Sequence, residues 1–192
     1  MNCAGRLAML LVCVLLSTAH ATDAEGLKAG VFNPSREAPD FSVRGSDGAA
    51  LTLSRYRGKV VVLGFGYTSC PNVCPATLAV LAQAQRKLGP LASQVQVIYL
   101  TVDPERDDTA RLKQYLAAFD PSFVGGTGSA AQMAAVRASY GVSAEKVGSG
   151  KDYGVAHSSF IYLITRDGKL QALMPFGHKA DDYVHDISML LN

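Results

Sequence analysis

The run Lys59-Val60-Val61-Val62-Leu63-Gly64-Phe65-Gly66-Tyr67-Thr68-Ser69-Cys70-Pro71-Asn72-Val73-Cys74-Pro75 carries most of what this chain discloses. Lys59 to Phe65 is continuously apolar after its first residue, as expected of a strand buried on both faces. Pro75 suits the first turn of a helix, and Leu78, Leu81 and Leu88 recur on one helical face before Gly89-Pro90 ends it. A buried strand running into a helix through a short turn predicts an α/β sheet with that turn at the strand's carboxyl end, where such folds place ligands. Two cysteines occupy the turn. Their spacing of four brings both sulfurs to one side of it, where they can close a disulfide or hold a soft metal ion with a third ligand such as histidine.

Outward from that run the pattern continues as alternating elements. Phe41-Ser42-Val43 and Leu51-Thr52-Leu53 flank Gly45-Ser46-Asp47-Gly48 and predict an N-terminal β-hairpin. Val95 to Val102 reads as the next buried strand, and Thr109 to Phe119 as a helix with Asp107 or Asp108 as its cap. Gly125 to Gly128 reads as a turn, followed by a helix from Ala130 to Tyr140, and Gly148 to Gly154 as a flexible glycine-rich loop. Ser159 to Thr165 and Leu170 to Met174 form a second hairpin, and Ala180 to Leu191 a closing amphipathic helix. The expected fold is one α/β domain over residues 38–192, its central mixed sheet flanked by helices. Thr22 to Ala38 shows no clear periodicity and reads, over residues 22–37, as an extended lead-in.

The first residues set the expected compartment. One basic residue, Arg6, precedes the apolar run Leu7 to Leu16, and Ala19-His20-Ala21 has the small-x-small form of a cleavage site. Residues 1–21 therefore read as a secretory signal peptide, the run being shorter than the roughly 20 residues a membrane span needs. The expected product is exported and soluble, periplasmic in a Gram-negative source, with an uncleaved membrane anchor as the alternative. Cleavage would leave two of the four cysteines and three of the four histidines. In an oxidising compartment such a pair oxidises unless a metal or a reductant protects it. The formal charge of +2 and the lack of any basic block argue against a nucleic-acid partner.

Among the chemistry-bearing residues, His157 is the best third ligand, since it stands where the glycine-rich loop enters a strand. His178 and His185 read as solvated, and Met133 and Met174 as core. Asp103-Pro104-Glu105-Arg106-Asp107 ends the strand beside the cysteine strand, so its carboxylates either lie near the site or serve a turn and a helix cap. A structural disulfide across so short a loop would remove little entropy from the unfolded chain.

Three separated segments, Phe65 to Pro75, Thr101 to Asp107, and His157-Ser158-Ser159 with Tyr162-Leu163-Ile164, resemble the Sco/SenC family of copper chaperones. The resemblance runs from about Ala38 to the C-terminus. It implies a thioredoxin-like fold and one copper ion per chain, held by Cys70, Cys74 and His157, with Asp103 and Asp107 near the metal. The implied role is a metallochaperone rather than an enzyme. It delivers copper to the binuclear copper site of cytochrome c oxidase subunit II, or to another exported cuproprotein, or reduces that site's cysteines. Other copper chaperones or thiol reductants would be further partners. An exported thiol-disulfide oxidoreductase using Cys70 and Cys74, with metal incidental, is the alternative. The chain departs from the family in having Asn72 between the cysteines and Ala156 before the histidine, where aspartate is usual. Each change removes a negative charge from beside the site, which bears on docking, histidine orientation and copper affinity.

Overall fold

The computed structural model describes residues 26–192; the expected signal peptide lies outside them. Strand β4 (Val60–Gly66) is buried at every position and lies at the middle of the sheet. It pairs in parallel with β5 (Val95–Thr101) and antiparallel with β9 (Ile161–Ile164). Among the described residues the sheet has eight strands, in the order β1-β10-β9-β4-β5-β6-β2-β3. Here β1 is Gly30–Glu37, β2 Ser42–Gly45, β3 Ala50–Thr52, β6 Val124–Thr127 and β10 Lys169–Met174.

Helix α1 (Val73–Leu88) makes the crossover from β4 to β5 and turns Leu78, Leu81 and Leu88 into the core, as their spacing predicts. Burying each such leucine contributes about 1.5–3 kcal/mol. It packs against α4 (Ala180–Leu191), while α2 (Thr109–Ala117) packs on β6 and α3 (Ala130–Ser139) precedes a second, two-stranded sheet. That sheet joins β7 (Ala144–Val147) to β8 (Gly154–His157). The α/β reading with a mixed central sheet, flanking helices and an N-terminal hairpin matches this architecture.

Two readings of local structure change and a third is sharpened. Gly125 to Gly128 is not simply a turn, because Val124–Thr127 is β6, paired with β5 and β2. Its glycines mark close approach: a Cβ on Gly125 would stand 2.9 Å from Leu116, and one on Gly126 2.4 Å from Leu100. The lead-in carries β1, an edge strand on β10 whose register shifts between Val31 and Arg36, around Pro34. An edge position tolerates a residue with no amide proton. Gly148 to Gly154 is a loop, as expected, but one that closes the β7–β8 hairpin, with Gly154 already the first residue of β8 and paired with Val147.

Candidate metal centre

The cysteine turn begins where β4 ends. The Cys70 amide donates to the Tyr67 carbonyl at 3.3 Å, and α1 starts at Val73 with no side chain of Asn72 on its free amides. The Cys74 amide instead points at the Cys70 sulfur, 3.5 Å away. Cys70 thus sits over the amino end of a helix, where unsatisfied N–H groups favour negative charge. Partial burial opposes ionisation of Cys70. Hydrogen bonds from the amides of Cys74, Asn72 and Val73 outweigh it, and the thiol titrates below its ordinary value. Cys74 is the opposite case. It is buried, and loss of solvent pushes its thiol up to about 12. Both cysteines are free. The pair is therefore asymmetric, with a half-exposed sulfur that ionises readily and a buried one that needs a compensating cation.

His157 ends β8 and is brought to Cys74 by the hairpin, with its Nε2 3.6 Å from the Cys74 sulfur. Its Nδ1 lies 2.8 Å from the Ser158 carbonyl, which can only accept. The proton is therefore on Nδ1, and Nε2 presents a lone pair to Cys74, the tautomer a metal ligand needs. The Ser158 carbonyl sets this orientation without help from Ala156, which is exposed on β8. A single ion holding a nitrogen at about 2.0–2.1 Å and a sulfur at about 2.3 Å keeps them about 3.5–3.7 Å apart. Cys74 and His157 fit that requirement. Cys70 stands at the rim, and among the described residues no three of His, Cys, Asp or Glu are closed on a common point.

Burial holds the His157 imidazole below the ordinary histidine value, against the Ser158 carbonyl, which favours the proton. As the pH falls, the unfolded chain therefore takes up this proton before the folded protein does. The stability involved is full above about pH 6.5 and is lost on descent from there through the lower folded pKa. Titration of the ring by NMR in the metal-free protein should give a midpoint below about 6.5; a midpoint at or above it would mean that solvent reaches the ring.

Of the four acidic residues in the β5–α2 connection, Asp103 and Asp107 touch neither sulfur, and each braces one half of the site. Asp107 is wholly buried and accepts from the Thr68 amide at 3.0 Å, the Thr68 hydroxyl at 2.5 Å and the Thr101 hydroxyl at 2.7 Å. It thereby fixes the turn two residues before Cys70. Its cap role falls to Asp108, whose side chain accepts from the Arg111 amide. Asp103 accepts from Tyr153 at 2.7 Å and pairs with Arg106, whose guanidinium lies 3.7 Å from the Tyr153 ring centroid. The Val155 amide donates to the Tyr67 hydroxyl at 3.2 Å, and Lys146 pairs with Glu105 at 2.6 Å. These contacts hold the histidine hairpin to the cysteine side of the molecule.

Thr68, Tyr67, Arg106 and Tyr153 are site residues that spacing did not single out. Tyr67, Thr68 and Arg106 fall inside the segments that the sequence singles out, though without a role of their own, and no spacing marks Tyr153. His178 and His185 lie on or beside α4 against Asp182 and Asp186, and Met133 and Met174 are fully buried in the core. Tyr153→Phe removes a hydrogen bond to a carboxylate, a contact worth about 1.5–3 kcal/mol. Amide exchange in β7 and β8 should quicken about 10-fold or more while β4 is unaffected. Unchanged hairpin exchange would show that the Tyr153–Asp103 contact does not hold it.

The family model described as SCO1/SenC matches residues 31–192. The chain is 43% identical over 133 residues to the mitochondrial SCO2 homolog of Bos taurus, covering 67% of this chain and 50% of that protein. It thus spans about half the length of that curated relative. The solved structure of Bradyrhizobium japonicum ScoI with copper bound has 36% identity and a TM-score of 0.75 over 81% of this chain and 99% of that one. The solution structures of apo Sco1 from Thermus thermophilus have 34% identity and a TM-score of 0.78 over 86% and 97%. With a match that takes in the edge strand, the cysteine turn and the histidine hairpin together, this chain belongs to the SCO1/SenC family.

Proposed function

We propose that this protein carries one copper ion on Cys70, Cys74 and His157 and hands it to an exported cuproprotein, the binuclear copper site of cytochrome c oxidase subunit II being the first candidate. The observation that carries this reading is the Nε2 lone pair of His157 aimed at the Cys74 sulfur from 3.6 Å. Copper-bound Bradyrhizobium ScoI supports it. Two thiolates and an imidazole form a soft donor set suited to Cu(I). Asp103 and Asp107 act as positioning groups behind the ligands. The hairpin contacts make His157 the fixed donor, and the half-exposed Cys70 is the donor a partner's thiolate displaces first.

Export, with the protein working in a periplasm, is part of the proposal. No helix among the described residues is long and apolar enough to cross a membrane. Mass spectrometry of the protein purified from its own cells should find an N-terminus near Thr22; a chain retaining Met1 in the membrane fraction would make the leader an anchor.

The decisive experiment deletes the gene and measures oxidase activity at low and at ample copper. Rescue by copper supports delivery, and rescue by a chemical thiol reductant supports reduction of the partner's cysteines. Normal oxidase under both conditions would remove the oxidase assignment. The second reading, a thiol-disulfide oxidoreductase, is favoured by one feature: a readily ionised, half-exposed Cys70 beside a buried Cys74, the asymmetry of an attacking and a resolving thiol. In that case His157→Ala leaves thiol exchange with a partner intact and produces no copper phenotype.

A further inference from the structure

Tyr99 lies in β5 opposite Gly64 of β4 and is 2% exposed. Its ring runs along a lane left open by two glycines on the same face of β4. A Cβ on Gly64 would stand 3.2 Å from the ring, and one on Gly66 only 1.8 Å from the hydroxyl oxygen. The same point above Gly66 is 2.8 Å from the Cys74 sulfur. The absence of both side chains therefore lets the tyrosine reach along the sheet and bring its hydroxyl beside that sulfur. There the hydroxyl is buried with no hydrogen-bond partner among the described residues. Phenylalanine would fill the lane equally well, so packing does not account for a polar group that costs stability to bury unpaired.

We infer that Tyr99 is a positioning residue for metal capture, its hydroxyl donating a hydrogen bond to the Cys74 sulfur when that sulfur carries negative charge on a bound copper ion. This rests on the copper reading proposed above. A neutral thiol is a weak acceptor and a thiolate a strong one. The hydroxyl therefore contributes little to the empty site and stabilises the loaded one, which raises affinity and fixes the direction of the sulfur lone pairs. It also withdraws electron density from the thiolate, so its loss makes the sulfur easier to oxidise by the metal.

The test compares wild type, Tyr99→Phe and Tyr162→Phe in the reduced full chain. Tyr162 is a buried tyrosine whose hydroxyl donates to the Tyr140 carbonyl at 2.8 Å, so it controls for loss of an ordinary core hydrogen bond. Copper(I) affinity is read by competition with a chromogenic chelator, and the thiolate-to-copper charge-transfer band by absorption of the copper(II) form. Tyr99→Phe should lower affinity about 10-fold, the scale of losing a partner behind a metal ligand. It should also shift the band to lower energy and leave the unfolding midpoint of the metal-free protein level or raised. Tyr162→Phe should lower the midpoint and leave the band in place. Wild-type affinity and band position in Tyr99→Phe would overturn the inference, as would a lowered metal-free midpoint with an unmoved band. Wild-type protein that takes up no copper would sink the copper reading and the inference together, whereas copper uptake by wild type matched by Tyr99→Phe sinks the inference alone.

Discussion

Replacing His157 with alanine is expected to lower copper affinity by about 100-fold or more and to leave the metal-free fold in place. Disturbing a group behind a metal ligand typically costs 10–100-fold, so loss of the ligand itself should reach or pass the top of about that range. The fold should survive because His157 closes a hairpin held by other side chains. Tyr67 takes the Val155 amide, Tyr153 reaches Asp103, and Ser143 and Ser158 bond across the strand ends. Chelator competition gives the affinity and thermal unfolding the control. His178→Ala and His185→Ala should leave affinity unchanged, because those rings stand against Asp182 and Asp186 on α4. Full-affinity binding in His157→Ala would remove the histidine from the site and favour the thiol-exchange reading.

The contrast between the two halves of the site shows what one sequence can disclose. The cysteine turn is legible because each signal in it is local: an apolar run for β4, a proline near the start of α1, leucines at helical spacing. The histidine half is not. Strands β7 and β8 are short and mostly exposed, so no alternation marks them. What fixes them is a tyrosine reaching an aspartate 50 positions away in the chain. Glycine misled the reading of β6 for the converse reason. It signals a turn when read along the chain, but Gly125 and Gly126 serve contacts across it, with α2, β2 and β3. Strand β1 hides because it is an edge strand with neither face fully buried. Tyr99 is the extreme case: its closeness to Cys74 follows from the register of β5 on β4, which residue types alone do not give.

Asp103 and Asp107 were legible as neighbours of the site, though not in what they do there, and Asp107 carries the second large expectation. Asp107→Ala should lower the unfolding midpoint by roughly 6–12 °C. The carboxylate takes three hydrogen bonds, from Thr68 twice and from Thr101, in a fully buried place. Bonds to a charged acceptor are worth about 1.5–3 kcal/mol each and do not add fully, so a loss of about 3 kcal/mol is a restrained figure. At about 2–4 °C per kcal/mol for a chain of this size, that gives the stated range. The Arg111 contact adds little, being 3.6 Å long and half-exposed. The damage should also have a direction. The Thr68 amide and hydroxyl lose their acceptor two residues before Cys70, so the turn loosens while the Asp103 side, which holds Tyr153 and the histidine hairpin, stays intact. Below the lowered midpoint, Cys70 should alkylate faster and copper affinity should fall, with β7–β8 amide exchange unchanged. Asp107→Asn keeps an acceptor but turns a donor toward groups that already donate, so its loss should be smaller and of the same pattern. A midpoint within a degree or two of wild type would mean that the three donors find other partners, and the turn would then owe its shape to the Pro71 and Pro75 backbone instead.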